Sequence, residues 1–103
     1  MQQPLQIVFK DVPPSQALDA DIRKRAEKLQ RICHEMISCR VTVGPDGKHK
    51  HQGNLYKARV DISVPGSEIV ADSRPMHEDV YISIHDAFDA ATRQLEEYVQ
   101  RRR

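Results

Sequence analysis

Cationic side chains are concentrated on the first helix that the sequence predicts. Arg25, Lys28 and Arg31 follow one another at spacings of three residues. Because each Lys or Arg can neutralise one phosphate and release a counterion, such a cluster suits a polyanion such as RNA. An ordinary solvated helix face has the same composition, and the interleaved Glu27 favours that alternative.

Two further basic stretches leave the same choice open. The chain ends in Arg101, Arg102 and Arg103, which would stabilise the C-terminus of a helix through its macrodipole or contact phosphates. The segment 48–51 (Lys-His-Lys-His) could reach into a polyanion, or it could be a solvated hairpin loop.

A metal site is not expected. Cys33, Cys39, His49 and His51 follow the spacing C-x5-C-x9-H-x-H, whereas zinc sites usually have paired ligands two to four residues apart. Both cysteines also fall on the apolar sides of their predicted elements, where a thiol packs as a small hydrophobic group. We expect no bound cofactor.

An enzymatic function is not expected either. His77, Glu78 and Asp79 place acid and base groups side by side, but no nucleophile or orienting partner accompanies them. Charged residues before an apolar run are typical of a helix start. No glycine-rich phosphate loop or nucleophile elbow is present, and no small-molecule substrate is indicated.

Length and composition predict a single domain, residues 1–103, in the cytoplasm. The 103 residues suit one small core. No run of about 18 apolar residues predicts a membrane span, and the N-terminus lacks the basic and apolar regions of a signal peptide. Two cysteines agree with a reducing compartment.

The net charge of +1 hides an uneven distribution along the chain. Residues 20–59 contain ten Lys or Arg against four acids, a net +6. Residues 60–100 contain two Arg against nine acids, a net −7. A polyanion responds to a local basic surface, so the near-neutral total does not exclude RNA binding.

The hydrophobic pattern predicts an α+β fold in the order β-α-β-β-β-α. Alternating apolar residues predict strands, and apolar residues at helical spacing predict two helices with one apolar stripe each. The economical solution packs both helices on one face of a four-stranded sheet. The strands are expected near 5–9, 37–43, 56–64 and 68–73, and the helices at 16–33 and from 80 to near the C-terminus.

Local signals mark the ends of these elements. Ser15 and Asp79 are expected to cap the N-termini of the helices. Pro65-Gly66 fits the centre of a type II turn between the last two strands. Gly44-Pro45 opens the long loop expected over residues 44–53.

Several stretches resemble the ribosome hibernation-promoting factor and ribosome-associated inhibitor family, also called sigma-54 modulation proteins. The resemblance covers nearly the whole chain in the same element order. It rests on His77-Glu78-Asp79-Val80-Tyr81 with Ile84 and Arg93-Gln94-Leu95, on the hairpin from Tyr56 to Arg74, and on Lys28-Leu29.

The resemblance implies a fold similar to double-stranded RNA-binding domains and a role in silencing ribosomes. Family members bind ribosomal RNA of the small subunit near the decoding region and block the tRNA and mRNA sites of resting ribosomes. By position, RNA contacts would fall to Arg25, Lys28, Arg31, Arg74 and Arg93. The C-terminal arginines, 101–103, would replace lysines that the family carries earlier in its last helix.

The chain departs from the family pattern at Glu96 and Glu97, where relatives usually have lysines. Two acids near a phosphate backbone would repel it, unless they turn toward Arg93 and Arg101 at helical spacing. The chain resembles the short form of the family, without a dimerising domain. A second hypothesis is a module on the same fold that binds a protein partner through the acidic second half.

Overall fold

The computed structural model describes residues 5–45, 55–73 and 77–102. The element order is β-α-β-β-β-α, as the hydrophobic pattern predicts. The elements are β1 (Gln6–Phe9), α1 (Gln16–Ile32), β2 (Ser38–Pro45), β3 (Tyr56–Val64), β4 (Ser67–Asp72) and α2 (Val80–Arg101).

The four strands form one mixed sheet in the order β1-β2-β3-β4. β1 runs parallel to β2, which the connection through α1 requires, and the other neighbours are antiparallel. The β3–β4 connection is the expected tight turn, in which Gly66 has φ of 77°.

Both helices cover the same face of the sheet. Alternate strand residues from β2, β3 and β4 are buried in one hydrophobic cluster together with the apolar stripes of α1 and α2. The intervening residues, such as Arg40, Lys57 and Arg59, lie on the uncovered face and are exposed. The fold is therefore a two-layer α+β arrangement.

Both predicted helix caps are confirmed. The Ser15 hydroxyl accepts from the Leu18 amide at 3.2 Å, and an Asp79 carboxylate oxygen accepts from the Tyr81 amide at 2.9 Å. Each bond satisfies an amide that has no partner within the first helical turn.

The expectation that the long loop begins at Gly44 is wrong, because Gly44 and Pro45 continue β2 and pair with Lys57 and Tyr56. The backbone requires glycine at this position because a Cβ on Gly44 would lie 2.4 Å from the Lys10 carbonyl oxygen. The rest of the predicted loop, residues 46–53, lies outside the described residues.

Candidate nucleic-acid interface

The three cations at spacings of three on α1 do not form a straight row. Each residue turns about 100° around a helix axis, so a step of three moves about 60° around the surface. Arg25 accordingly lies next to the buried stripe, with its side chain 27% exposed, whereas Lys28 and Arg31 are exposed. The predicted cluster therefore spreads from the furrow between the helices to the outer face of α1.

Arg25 connects the two helices. Its Nε donates to Asp21 Oδ2 at 2.9 Å, and its Nη1 lies 3.1 Å from His85 Nδ1 on α2. These contacts occupy two edges of the guanidinium and hold it in the furrow. A phosphate would have to share Arg25 with Asp21, which favours a positioning role for this side chain over a strong phosphate contact.

Lys28 and Arg31 have no acidic partner among the residues that the structure describes. The neighbouring Lys24 is exposed and likewise makes no ion pair with the described residues. Binding a phosphate at these three positions would break no ion pair with the described residues. Lys28 and Arg31 are the available part of the predicted cationic cluster, and Lys24 extends it.

On α2, Arg93 is paired with the acid one turn before it. Its Nη1 lies 2.6 Å from Asp89 Oδ2, although both side chains are largely exposed. The possibility that Arg93 pairs with Glu96 or Glu97 is wrong. Helical side chains lean toward the N-terminus, so an arginine reaches the preceding turn more readily than the following one.

The C-terminal arginines are in different environments. Arg102 is the C-cap of α2 and donates to Glu35 Oε2 at 3.0 Å, with its guanidinium 5.3 Å from the centroid of the Tyr98 ring. Arg101 is exposed, and no ion pair involves it within the described part of the chain. Arg74 and Arg103, both predicted to contact RNA, lie outside the described residues.

The sequence matches the profile of a known protein family. The profile of the family described as Sigma 54 modulation protein / S30EA ribosomal protein matches residues 5–103, nearly the whole chain. The chain belongs to this family. The resemblance noted from the sequence is thereby confirmed, and the family is one of ribosome-associated factors and not of enzymes.

Solved structures of similar fold carry related descriptions. A ribosomal subunit interface protein from Coxiella burnetii has a TM-score of 0.78 and 19% identity, covering 93% of this chain and 97% of its own. The N-terminal domain of Protein Y from Thermus thermophilus has a TM-score of 0.74 and 17% identity, covering 90% and 94%. At such identities these structures support the fold alone. No curated protein sequence matches the chain.

The S30EA fold carries opposite charges on its two helices here. α1 holds five Lys or Arg against three acids, a net +2, whereas α2 holds two Arg against four acids, a net −2. Glu96 and Glu97 are exposed and have no cationic partner among the described residues. The surface suited to a polyanion is therefore centred on α1.

Of the residues considered for metal binding or catalysis, both cysteines and His77 are accounted for by burial or pairing within the fold, and His49 and His51 lie outside the described residues. Cys33 and Cys39 are buried, and no three potential metal-ligating side chains cluster within the described ranges. His77 Nε2 lies 2.7 Å from Asp86 Oδ2, a pair that the sequence pattern did not indicate. Neither described helix has the length and hydropathy needed to cross a membrane.

Proposed function

We propose that this protein is a ribosome-associated translational silencer. It binds ribosomal RNA of the small subunit near the decoding region and acts by occupying the tRNA and mRNA sites, without chemistry. Its setting is the cytoplasm, and residues 1–103 act as one RNA-binding domain. Membership of the S30EA family supports the ribosomal partner.

The observation that carries the proposal is the exposure of Lys28 and Arg31 without acidic partners among the described residues. Each phosphate contact by such a side chain releases a counterion without first breaking a protein ion pair. Lys24, on the same helix, extends this surface.

The other arginines contribute differently in this proposal. Arg25 fixes the two helices relative to each other through Asp21 and His85. Arg93 and Arg102 exchange an acidic partner for a phosphate, so their net contribution is smaller. Arg101 contacts RNA from the end of α2, and Arg74 and Arg103 are proposed RNA contacts from their sequence positions alone.

Co-sedimentation with purified small subunits and intact ribosomes, at low and raised salt, tests the proposal. The protein should comigrate with both, and the bound fraction should fall as salt rises because phosphate contacts release counterions. The double variant Lys28→Glu, Arg31→Glu should lose at least about tenfold in affinity while its circular dichroism spectrum stays unchanged.

A matched control is available on the opposite face of the sheet. Arg40 and Lys57 are exposed and have no ion-pair partner among the described residues, so Arg40→Glu with Lys57→Glu makes the same change in net charge. Equal losses for the two double variants would show a general charge effect and remove the assignment to α1. Full binding by the Lys28→Glu, Arg31→Glu variant would also remove the assignment of the RNA contacts to α1.

A second candidate function is a regulatory module that binds a protein partner through α2. The observation that favours it is the net charge of −2 on α2, with Glu96 and Glu97 exposed and unpaired among the described residues. This function predicts capture of a protein that survives ribonuclease treatment. Substituting both glutamates by glutamine should abolish that capture and leave ribosome sedimentation unchanged or stronger.

A further inference from the structure

Tyr81 is an exposed aromatic residue in the first turn of α2. It is 42% exposed, and it belongs neither to the hydrophobic core nor to the partly buried residues packed against that core. Its amide donates to the Asp79 cap, but its hydroxyl makes no hydrogen bond within the described part of the chain. The aromatic ring is therefore not explained by packing or by a polar contact.

Helical spacing places Tyr81 on the flank of α2 that faces α1. Residues four apart are neighbours on a helix surface, so Tyr81 adjoins His85. His85 Nδ1 lies 3.1 Å from Arg25 Nη1 across the furrow between the helices. Ile82 is similarly exposed, at 44%, but it is turned about 100° from Tyr81 and lies opposite the buried stripe. Of these two exposed residues, Tyr81 is the one that borders the furrow.

The two helices run in the same direction, which determines the order of residues along the furrow. β1 and β2 are parallel, so α1 between them returns in the opposite direction. β4 also runs in the direction of β2, so α2 after it returns in the same direction as α1. Tyr81 therefore lies one turn before the Arg25–His85 contact and Lys28 lies one turn beyond it. The two residues are about 10 Å apart along the helix axes.

The charges differ between the two ends of this furrow. At one end Lys28 and the neighbouring Lys24 are exposed and make no ion pair with the described residues. The acids near the Tyr81 end are Asp21, Glu78 and Asp79. These acids would repel a phosphate beside the ring, whereas an uncharged base meets no such repulsion. The furrow thus favours a base at Tyr81 and phosphate at Lys28.

We infer that Tyr81 is a stacking platform for an unpaired RNA base, with a phosphate of the same strand bound at Lys28. Aromatic side chains stack on unpaired bases of any sequence because every base has a π face. Bases inside a duplex are covered by their neighbours, so the ligand is a single-stranded segment. The inference rests on the proposed function for its RNA partner, and it adds a contact that neutralises no charge.

The test compares the affinities of variants for two probes, a labelled single-stranded hexaadenylate and purified small subunits. Tyr81→Ala should weaken binding of both by about fivefold to 150-fold, the range found when a stacking aromatic is removed. Tyr81→Phe keeps the ring and should bind within about twofold of the wild type. A blunt RNA duplex should bind equally to the wild type and to Tyr81→Ala, because it offers no unpaired base.

The matched control is Ile82→Ala. It removes an equally exposed apolar side chain from the adjacent position, on the face of α2 that points away from the furrow. Its affinity for both probes should equal that of the wild type. Circular dichroism should show that all three variants are folded, since neither side chain belongs to the core.

Salt dependence separates stacking from charge. Tyr81→Ala should leave unchanged the slope of the logarithm of the binding constant against the logarithm of the salt concentration, because no phosphate contact is lost. Lys28→Gln should flatten that slope for hexaadenylate by about 0.7. The natural chain has no tryptophan, so Tyr81→Trp introduces a single one. Its emission should be quenched when hexaadenylate stacks on it.

Three results would overturn the inference. The first is equal affinity of the wild type and Tyr81→Ala for both probes. The second is an equal loss in Tyr81→Phe and Tyr81→Ala, which would indicate a hydroxyl contact in place of stacking. The third is an equal loss in Ile82→Ala.

Failure of the proposed function gives a different pattern. A wild-type protein that does not sediment with ribosomes refutes the silencer, whereas quenching of the Tyr81→Trp variant by hexaadenylate still supports the base contact. Absence of that quenching at saturating hexaadenylate overturns the inference. Sedimentation of Tyr81→Ala with small subunits at wild-type affinity keeps the proposed function and removes the base contact.

Discussion

Tyr98 on α2 donates its phenolic hydrogen to the carbonyl oxygen of Pro65, at 2.8 Å, in the turn between β3 and β4. The Tyr98 ring is buried and also lies beneath the guanidinium of Arg102. One side chain thereby attaches the end of the last helix to the tip of the hairpin. Because α2 carries two of the proposed RNA contacts, this attachment positions them.

Removing that hydroxyl should lower the stability of the whole domain. Tyr98→Phe deletes one hydrogen bond and leaves the Pro65 carbonyl without this donor, so we expect a loss of about 1 kcal/mol in the free energy of unfolding. Tyr81→Phe is the matched control, because Tyr81 is 42% exposed. Urea denaturation measures both. Equal midpoints would mean that water replaces the bond at no cost.

The ion pair between Asp89 and Arg93 should reduce RNA affinity. Asp89→Asn releases the Arg93 guanidinium, and the exposed pair contributes little to stability, so the fold should be unaffected. We expect tighter binding to small subunits. The slope of the logarithm of the binding constant against the logarithm of the salt concentration should steepen by about 0.7 to 0.9, because one phosphate contact is added. Affinity measurements at several salt concentrations provide the slope.

The control for that variant is Asp19→Asn, which releases Arg23 from an equivalent ion pair of 2.6 Å on α1. Helical geometry places Arg23 on the other flank of α1, away from Arg25 and from the furrow between the helices. This variant should change affinity only through net charge, with an unchanged slope. If both variants steepened the slope equally, Arg93 would have no special place in the interface.

The sequence predicts the fold well because one physical signal dominates each element. Apolar residues alternate with polar ones along β3 and form one stripe along α2, so each element has a single apolar face. Both faces are buried as expected. The error at Gly44 arose because Gly-Pro is a frequent turn signal. Glycine is required there because the backbone of Lys10, thirty-four residues earlier in the sequence, passes close to it. A local sequence pattern cannot reveal such a contact.

The sequence predicts which basic residues the candidate site contains, but not which of them are paired with acids in the folded protein. The sequence indicates which residues of α1 are basic, whereas their availability depends on acids brought near by folding. Asp21 at i−4 could have signalled the pairing of Arg25, but His85 is sixty residues away and no spacing rule indicates it. Arg102 and Glu35 are likewise sixty-seven residues apart.

Substitution by alanine should destabilise the protein more at Gly44 than at Gly66, because the Lys10 backbone lies close to Gly44. In Gly44→Ala the new Cβ would lie 2.4 Å from the Lys10 carbonyl, and a paired backbone cannot move away easily. We expect a loss of about 2 to 3 kcal/mol in the free energy of unfolding. Gly66→Ala meets nothing within 4 Å and should cost about 1 kcal/mol, from its positive φ alone. Thermal denaturation ranks the two, and the reverse order would refute the contact.

Cys39 should make stability decrease at alkaline pH. Burial, followed by the negative charge of Asp61, raises the pKa of the Cys39 thiol from 9.0 to about 12. Below about pH 8 the thiol is protonated in both folded and unfolded chains, so its contribution is fully present. Between pH 9 and about 12 the unfolded chain ionises first, and stability falls by up to about 1.4 kcal/mol per pH unit.

Comparison with Cys39→Ala isolates this effect, since lysine and tyrosine titrations are common to both proteins. Urea denaturation at intervals from pH 7 to pH 11 should show that the difference in unfolding free energy between the two proteins is constant up to about pH 8 and then narrows. The native protein should also react slowly with a thiolate-selective reagent at Cys39, because little thiolate forms in the folded state. Parallel pH curves for the two proteins, or rapid labelling of folded Cys39, would show that the thiol is not held protonated.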